Sequence, residues 1–137
     1  MGMFEGKKGL ILGVANERSI AWAIARTIMD EGGICGFSHL PDRPDDEKKK
    51  NRRRLLRCLE GYEDRAPFLA PLNVQSDEQI QEVISKAAET LGPFDFLLHS
   101  IAFADREDLK RDTVETSREG FKMAMDISAY SLIAVAN

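Results

Sequence analysis

KGLILGVANERSIAWAIA, Lys8–Ala25, decides the fold. It opens on a short apolar run ending in glycine, Lys8 to Gly13, with the composition of a buried strand. From Ser19 the pattern turns helical: Ile20, Ile24 and Ile28 recur at every fourth position, with Ala21 and Ala25 beside them. A buried strand that passes through glycine into a helix is the opening unit of a parallel α/β sheet. The same junction suits a phosphate. A helix start presents free N–H groups and partial positive charge, and glycine lets the ligand approach the backbone closely. On this reading Gly13 faces the phosphate, and Ser19 caps the helix or donates its hydroxyl. The G-x-G-x-x-G spacing is missing, because after Gly13 no glycine occurs before Gly32. By the loop alone, a plain strand–loop–helix turn therefore stays open.

Working outward, Gly32 and Gly33 end the first helix and Ile34 to Ser38 reads as a second strand. Asp42 to Glu60 begins Pro-rich and becomes strongly charged, a loop followed by an exposed helix. Phe68 to Val74 is a third strand. Ser76 and Gln79 form a capping box, and Ile80, Val83, Ile84, Ala87, Ala88 and Leu91 then hold one apolar face until Gly92-Pro93. Phe94 to Ser100 is a fourth strand, and Asp105 to Glu115 is polar. Thr116 and Glu119 make a second capping box ahead of a helix from about Ser117 to the end. This alternation predicts a doubly wound, Rossmann-like parallel sheet in one domain over residues 1–137, carrying its first four strands and their helices.

The last helix is apolar on two sides. Phe121, Ala124, Met125, Ala129 and Leu132 form one face; Met123, Ile127, Tyr130 and Ile133 form the other. One face can pack on the sheet, and the other needs later chain or another subunit. SLIAVAN carries no stop signal before Asn137, so the sequence reads as the front of a longer protein, with the rest of the domain expected beyond 137.

The net charge of −4 argues against nucleic acid or an anionic membrane surface as the main partner. No apolar run is long enough to span a bilayer, and the start has no signal-peptide core, so a cytoplasmic protein is expected. Cys35 and Cys58 are read as inert thiols. His39 and His99 stand alone, without ligand spacing to other donors, so no metal site is expected, and His99 reads as a hydrogen-bonded core residue. The run KKKNRRRLLR, Lys48–Arg57, follows Asp42, Asp45, Asp46 and Glu47 and lacks interleaved aromatics; it reads as a solvated helix face.

Three co-linear stretches resemble one family. GVANERSIAWAIA, Gly13–Ala25, looks like the phosphate-binding loop of enoyl-[acyl-carrier-protein] reductases, a divergent branch of the short-chain dehydrogenase/reductase superfamily. DFLLHSIAFA, Asp95–Ala104, resembles its fourth strand and following loop, and REGFKMAMDISAYSL, Arg118–Leu132, resembles its next long helix. The resemblance implies that Gly13, Ser19 and Ile20 line the pyrophosphate. Asn73 and Val74 would hold the adenine, where the family usually has Asp-Val; the Asn73 amide oxygen can still accept from the adenine amino group. Ser100, Ile101 and Ala102 would flank the nicotinamide ribose, and Ala104 the acyl substrate. Leu40 falls where many dinucleotide enzymes carry an acid for the ribose, and it can only pack against the adenosine. NADH is favoured by resemblance; Arg43 and Lys48 leave a 2′-phosphate contact, and so NADPH, open.

The implied activity is reduction of a trans-2-enoyl thioester, carried on acyl carrier protein, in fatty-acid synthesis. The basic run at Lys48–Arg57 offers a surface to that acidic carrier. A homotetramer through the helix over 117–137 is implied as well. The family's catalytic pair is a tyrosine and, after six intervening residues, a lysine. Leu69 stands seven residues after Tyr62 and Asn137 seven after Tyr130, so no catalytic residue is assigned in this segment. A short-chain carbonyl reductase or alcohol dehydrogenase, and a non-catalytic dinucleotide-sensing module, are the competing readings.

Overall fold

Leu10, Ile11 and Leu12 are all fully buried, which a strand requires only when both of its faces are covered. The computed structural model describes residues 2–137 and places these side chains at the centre of a four-stranded sheet. β1 (Lys8–Leu12) lies between β2 (Ile34–His39) and β4 (Phe96–His99), with β3 (Phe68–Pro71) beyond β2. Every pairing is parallel.

Strand alternation sends successive β1 side chains to opposite layers. Ile11 joins Cys35 and Phe37 of β2 against α1 (Ile20–Asp30) and α2 (Lys50–Cys58). Leu10 and Leu12 face the other way, onto α3 (Asp77–Leu91) and Val135. Val135 belongs to the last helical stretch. After the short α4 (Arg106–Leu109), that stretch runs as α5 (Arg118–Met125), a wider π-type segment (Asp126–Tyr130) and α6 (Ser131–Ala136). The doubly wound expectation holds, since helices cover both faces.

Details of the elements differ from the expectation. The buried face of α1 is Ala21, Trp22, Ala25, Ile28 and Met29, whereas Ile20 is 74% exposed and Ile24 39%. Small alanines let α1 approach the sheet closely, so of the three isoleucines only Ile28 lies on the packed side. Ile20→Ala should therefore leave unfolding free energy within about 0.5 kcal/mol by urea denaturation, as surface substitutions do. A loss of dinucleotide affinity in that variant would then report a direct contact.

β3 ends at Pro71 rather than Val74, because its partner β2 ends at His39; the Leu72 N–H to His39 carbonyl bond, 2.9 Å, is the last rung. The cap of α5 is Ser117, whose Oγ accepts from the Gly120 N–H at 3.0 Å, while the Thr116 hydroxyl donates to the Thr113 carbonyl. Ser76 caps α3 as expected, but Gln79 reaches past it to accept from the Asn73 N–H at 3.0 Å. Both cysteines are free, and burial pushes the Cys35 thiol up to about 12, which keeps it protonated and unreactive.

The outer side of the last helices stays uncovered. Phe121, Met125, Leu132 and Ile133 are between 47% and 64% exposed. The packed side is Ile127, Ser131, Ala134 and Val135, so Ile127 belongs to the sheet-facing side. No helix among the described residues is long and apolar enough to cross a membrane.

Candidate functional site

A parallel sheet sends every strand's C-terminal end to one edge. Here the order β3-β2-β1-β4 means that the chain leaves β1 in one direction for β2 and β3, then returns to the other side of β1. A crevice opens where the direction reverses, and a cleft of about 280 Å³ occupies it. Its walls come from the four segments that leave the strands: 13–15, 38–40, 72–75 and 100–103, with Asn51 and Ile127 added from the helices.

Seven of the sequence-assigned residues meet in this cleft: Gly13, Leu40, Asn73, Val74, Ser100, Ile101 and Ala102. Ser19, Ile20 and Ala104 do not line it. Ser19 holds the loop's shape instead. Its Oγ accepts from the Ala15 N–H at 2.9 Å and the Asn16 N–H at 3.1 Å, and it makes no side-chain cap on α1. Ala104 lies one residue past the lining segment that ends at Phe103.

Gly13 explains why a single glycine suffices. Its φ is +109°, and a Cβ there would collide with the Ser100 carbonyl. Ser100 cannot withdraw easily, since its N–H donates to the Leu12 carbonyl at 3.0 Å as the last rung of the β1–β4 ladder. Two strand ends thus touch through bare backbone, which leaves the space above them for a ligand.

The cleft walls carry no Asp, Glu, Lys or Arg among the described residues. An anion would therefore meet backbone N–H groups and the α1 dipole rather than a side-chain cation. Leu40 is apolar and 70% exposed at the cleft wall. The Asn73 amide oxygen already accepts from the Gln75 N–H at 3.0 Å, leaving one lone pair for the role assigned to it.

Sequence reasoning missed His39 as a wall residue. Its Nδ1 lies 2.9 Å from the Leu40 carbonyl. A carbonyl only accepts, so Nδ1 carries the proton. Nε2 is buried without a partner. His99 is hydrogen-bonded, as expected: its Nε2 lies 2.7 Å from Ser131 Oγ, which itself donates to the Ile127 carbonyl at 2.6 Å. Ser128 accepts from the Phe103 N–H at 2.9 Å, so the π-type segment secures the loop after β4. No cluster of three metal-ligating side chains occurs among the described residues.

Residues 13–137 match the family model described as Enoyl-(Acyl carrier protein) reductase. The enoyl-[acyl-carrier-protein] reductase [NADH] FabI of Aquifex aeolicus is 41% identical over 135 residues, 98% of this chain and 47% of that protein. The corresponding reductase of Staphylococcus aureus, designated an NADPH enzyme, is 38% identical over 97% of this chain and 49% of its own length. The crystal structure of the Anaplasma phagocytophilum reductase in complex with NAD superposes with a TM-score of 0.85 at 34% identity, covering 99% of this chain and 49% of that one. The chain spans about half the length of these relatives, and with the strand-end cleft and the glycine contact in place, it belongs to the enoyl-(acyl carrier protein) reductase family.

Proposed function

We propose that the cleft binds NADH and that the protein reduces the carbon–carbon double bond of 2-enoyl thioesters on acyl carrier protein, in fatty-acid synthesis. The observation that carries this reading is the Gly13–Ser100 contact, a cradle that any side chain would fill, at the crevice where the sheet's winding reverses. The residues present fit a dinucleotide. The start of α1 has no side-chain cap, so the Ile20 and Ala21 N–H groups are available to a pyrophosphate, while that of Trp22 donates to the Ser19 carbonyl at 3.0 Å. When bound, the dinucleotide supplies the hydride that goes to the β-carbon.

This chain's own residues bind and orient. Gly13 admits the pyrophosphate to the backbone, with the loop shaped by Ser19 and flanked by Ile20. Asn73 and Val74 receive the adenine, and Leu40 packs on the adenosine. Ser100, Ile101 and Ala102 run beside the nicotinamide ribose, and Ala104 approaches the acyl group. Val14, Ile101 and Phe103 keep the crevice apolar, which excludes water from the reacting carbon. The same reading includes a homotetramer assembled through α5 and α6, whose outer apolar side chains stand clear of the core.

The test follows NADH oxidation by the intact protein with a crotonyl thioester and, separately, with a simple ketone. Turnover of the thioester is expected. Turnover of the ketone alone would replace the proposal with carbonyl reduction.

A further inference from the structure

Ser128 stands in the π-type segment, and both of its side-chain hydrogen bonds go to one residue of the loop after β4. Its Oγ accepts from the Phe103 N–H at 2.9 Å and donates to the Phe103 carbonyl at 3.2 Å. Among the described residues, the main chain from Ile101 to Ala104 makes no other hydrogen bond. The Phe103 ring is 46% exposed, so packing does little to fix this stretch. The start of the loop is held by the sheet instead. Ser100 is tied to the Leu12 carbonyl, and the His99 ring to Ser131. Helix geometry accounts for the reach of the two serines. The Ser131 N–H bonds to the Asp126 carbonyl, five residues back, while its hydroxyl takes the Ile127 carbonyl, four back. The wide turn that results carries Ile127 in the cleft wall and Ser128 against Phe103. Such turns recur at functional sites.

We propose that Ser128 is a positioning residue for the reduction, fixing the far end of the loop so that Ala104 meets the acyl thioester in register with the nicotinamide. The proposal rests on the reading of the cleft and its reaction given above. One hydroxyl that accepts from a residue's N–H and donates to its carbonyl holds that residue against both rotation and displacement. Without it, the loop is anchored only at Ser100, and the acyl end is free to drift. A drift of about 1 Å between reacting groups is enough to cost as much as about a hundredfold in rate. The segments 13–15 and 72–75 do not depend on this bond, so the affinity for the dinucleotide is expected to survive its loss.

Steady-state kinetics of the intact protein with NADH and a crotonyl thioester, set beside the Kd for NADH from nicotinamide fluorescence, test this. Ser128→Ala should lower kcat/KM for the thioester at least about tenfold while moving the Kd for NADH less than about twofold. Ser128→Thr and Ser128→Val match each other in shape and differ in the hydroxyl. The threonine variant should recover kcat/KM to within about threefold of wild type, and the valine variant should not. This pair keeps the question open to test if the alanine variant fails to fold. Equal kcat/KM in the threonine and valine variants overturns the proposal, as does a loss of NADH affinity in Ser128→Ala as large as its loss of kcat/KM. Wild-type protein that does not turn over the thioester overturns the proposed function and this inference with it.

Discussion

Gly13→Ala is expected to weaken NADH binding at least about a hundredfold, equivalent to about 2.7 kcal/mol. Two costs combine. The residue sits at φ +109°, where a side chain costs on the order of 1–3 kcal/mol of backbone strain. Its new methyl would also enter the Ser100 carbonyl, which is fixed by the ladder bond to Leu12. The relief available is to part the ends of β1 and β4, and those ends are two walls of the cleft. Gly61→Ala separates the costs: φ there is +87°, yet nothing stands within 4 Å of the added Cβ. That control should lose thermal stability while keeping its affinity for NADH. Equal affinity losses in the two variants would show that the Ser100 contact is irrelevant to the site.

Leu55→Ala is expected to cost about 2–5 kcal/mol of unfolding free energy, the range for emptying a leucine-sized space in a core. α2 has the sequence KNRRRLLRC and buries Leu55 alone, at 0% exposure. The helix cannot hold itself to the sheet by its charged residues, which face water. Urea denaturation should show a lower midpoint, and Asn51 and the turn at Asp42 should lose protection from amide exchange. Leu56→Ala is the comparison, since Leu56 is 45% exposed and should cost well under about 1 kcal/mol. Similar losses from both variants would mean that α2 is not anchored through Leu55.

The order of elements was legible because it rests on local signals. Ser76 and Gly92 punctuate α3, and the run Gly9–Leu12 is apolar without alternation, as a doubly covered strand must be. Seven residues that the resemblance assigned to the dinucleotide line the cleft, each within three residues of a strand's C-terminal end. Three kinds of feature were not legible. The packed side of α1 depends on how closely alanine lets helix and sheet approach, which hydrophobicity alone does not encode. The caps of α2 come from Asp42, nine residues before Asn51, beyond the reach of a capping-box pattern. The unpartnered Nε2 of His39 is a property of the packed wall, invisible in a lone histidine.

The four-segment origin of the cleft has a consequence for how the protein acquires its ligand. Residues 13–15, 38–40, 72–75 and 100–103 are distant in sequence and adjacent only once all four parallel strands have paired. Parallel pairing is non-local and closes long loops, so it comes late and slowly. A partly assembled sheet has no cleft, and the dinucleotide affinity proposed for it would switch on with the pairing of these four strands rather than grow with compaction. Ligand at a hundred times its dissociation constant would then add about 2.7 kcal/mol to the completed state alone. On the proposed function, the nucleotide would report the pairing of these four strands, holding them against the unpaired forms that precede it.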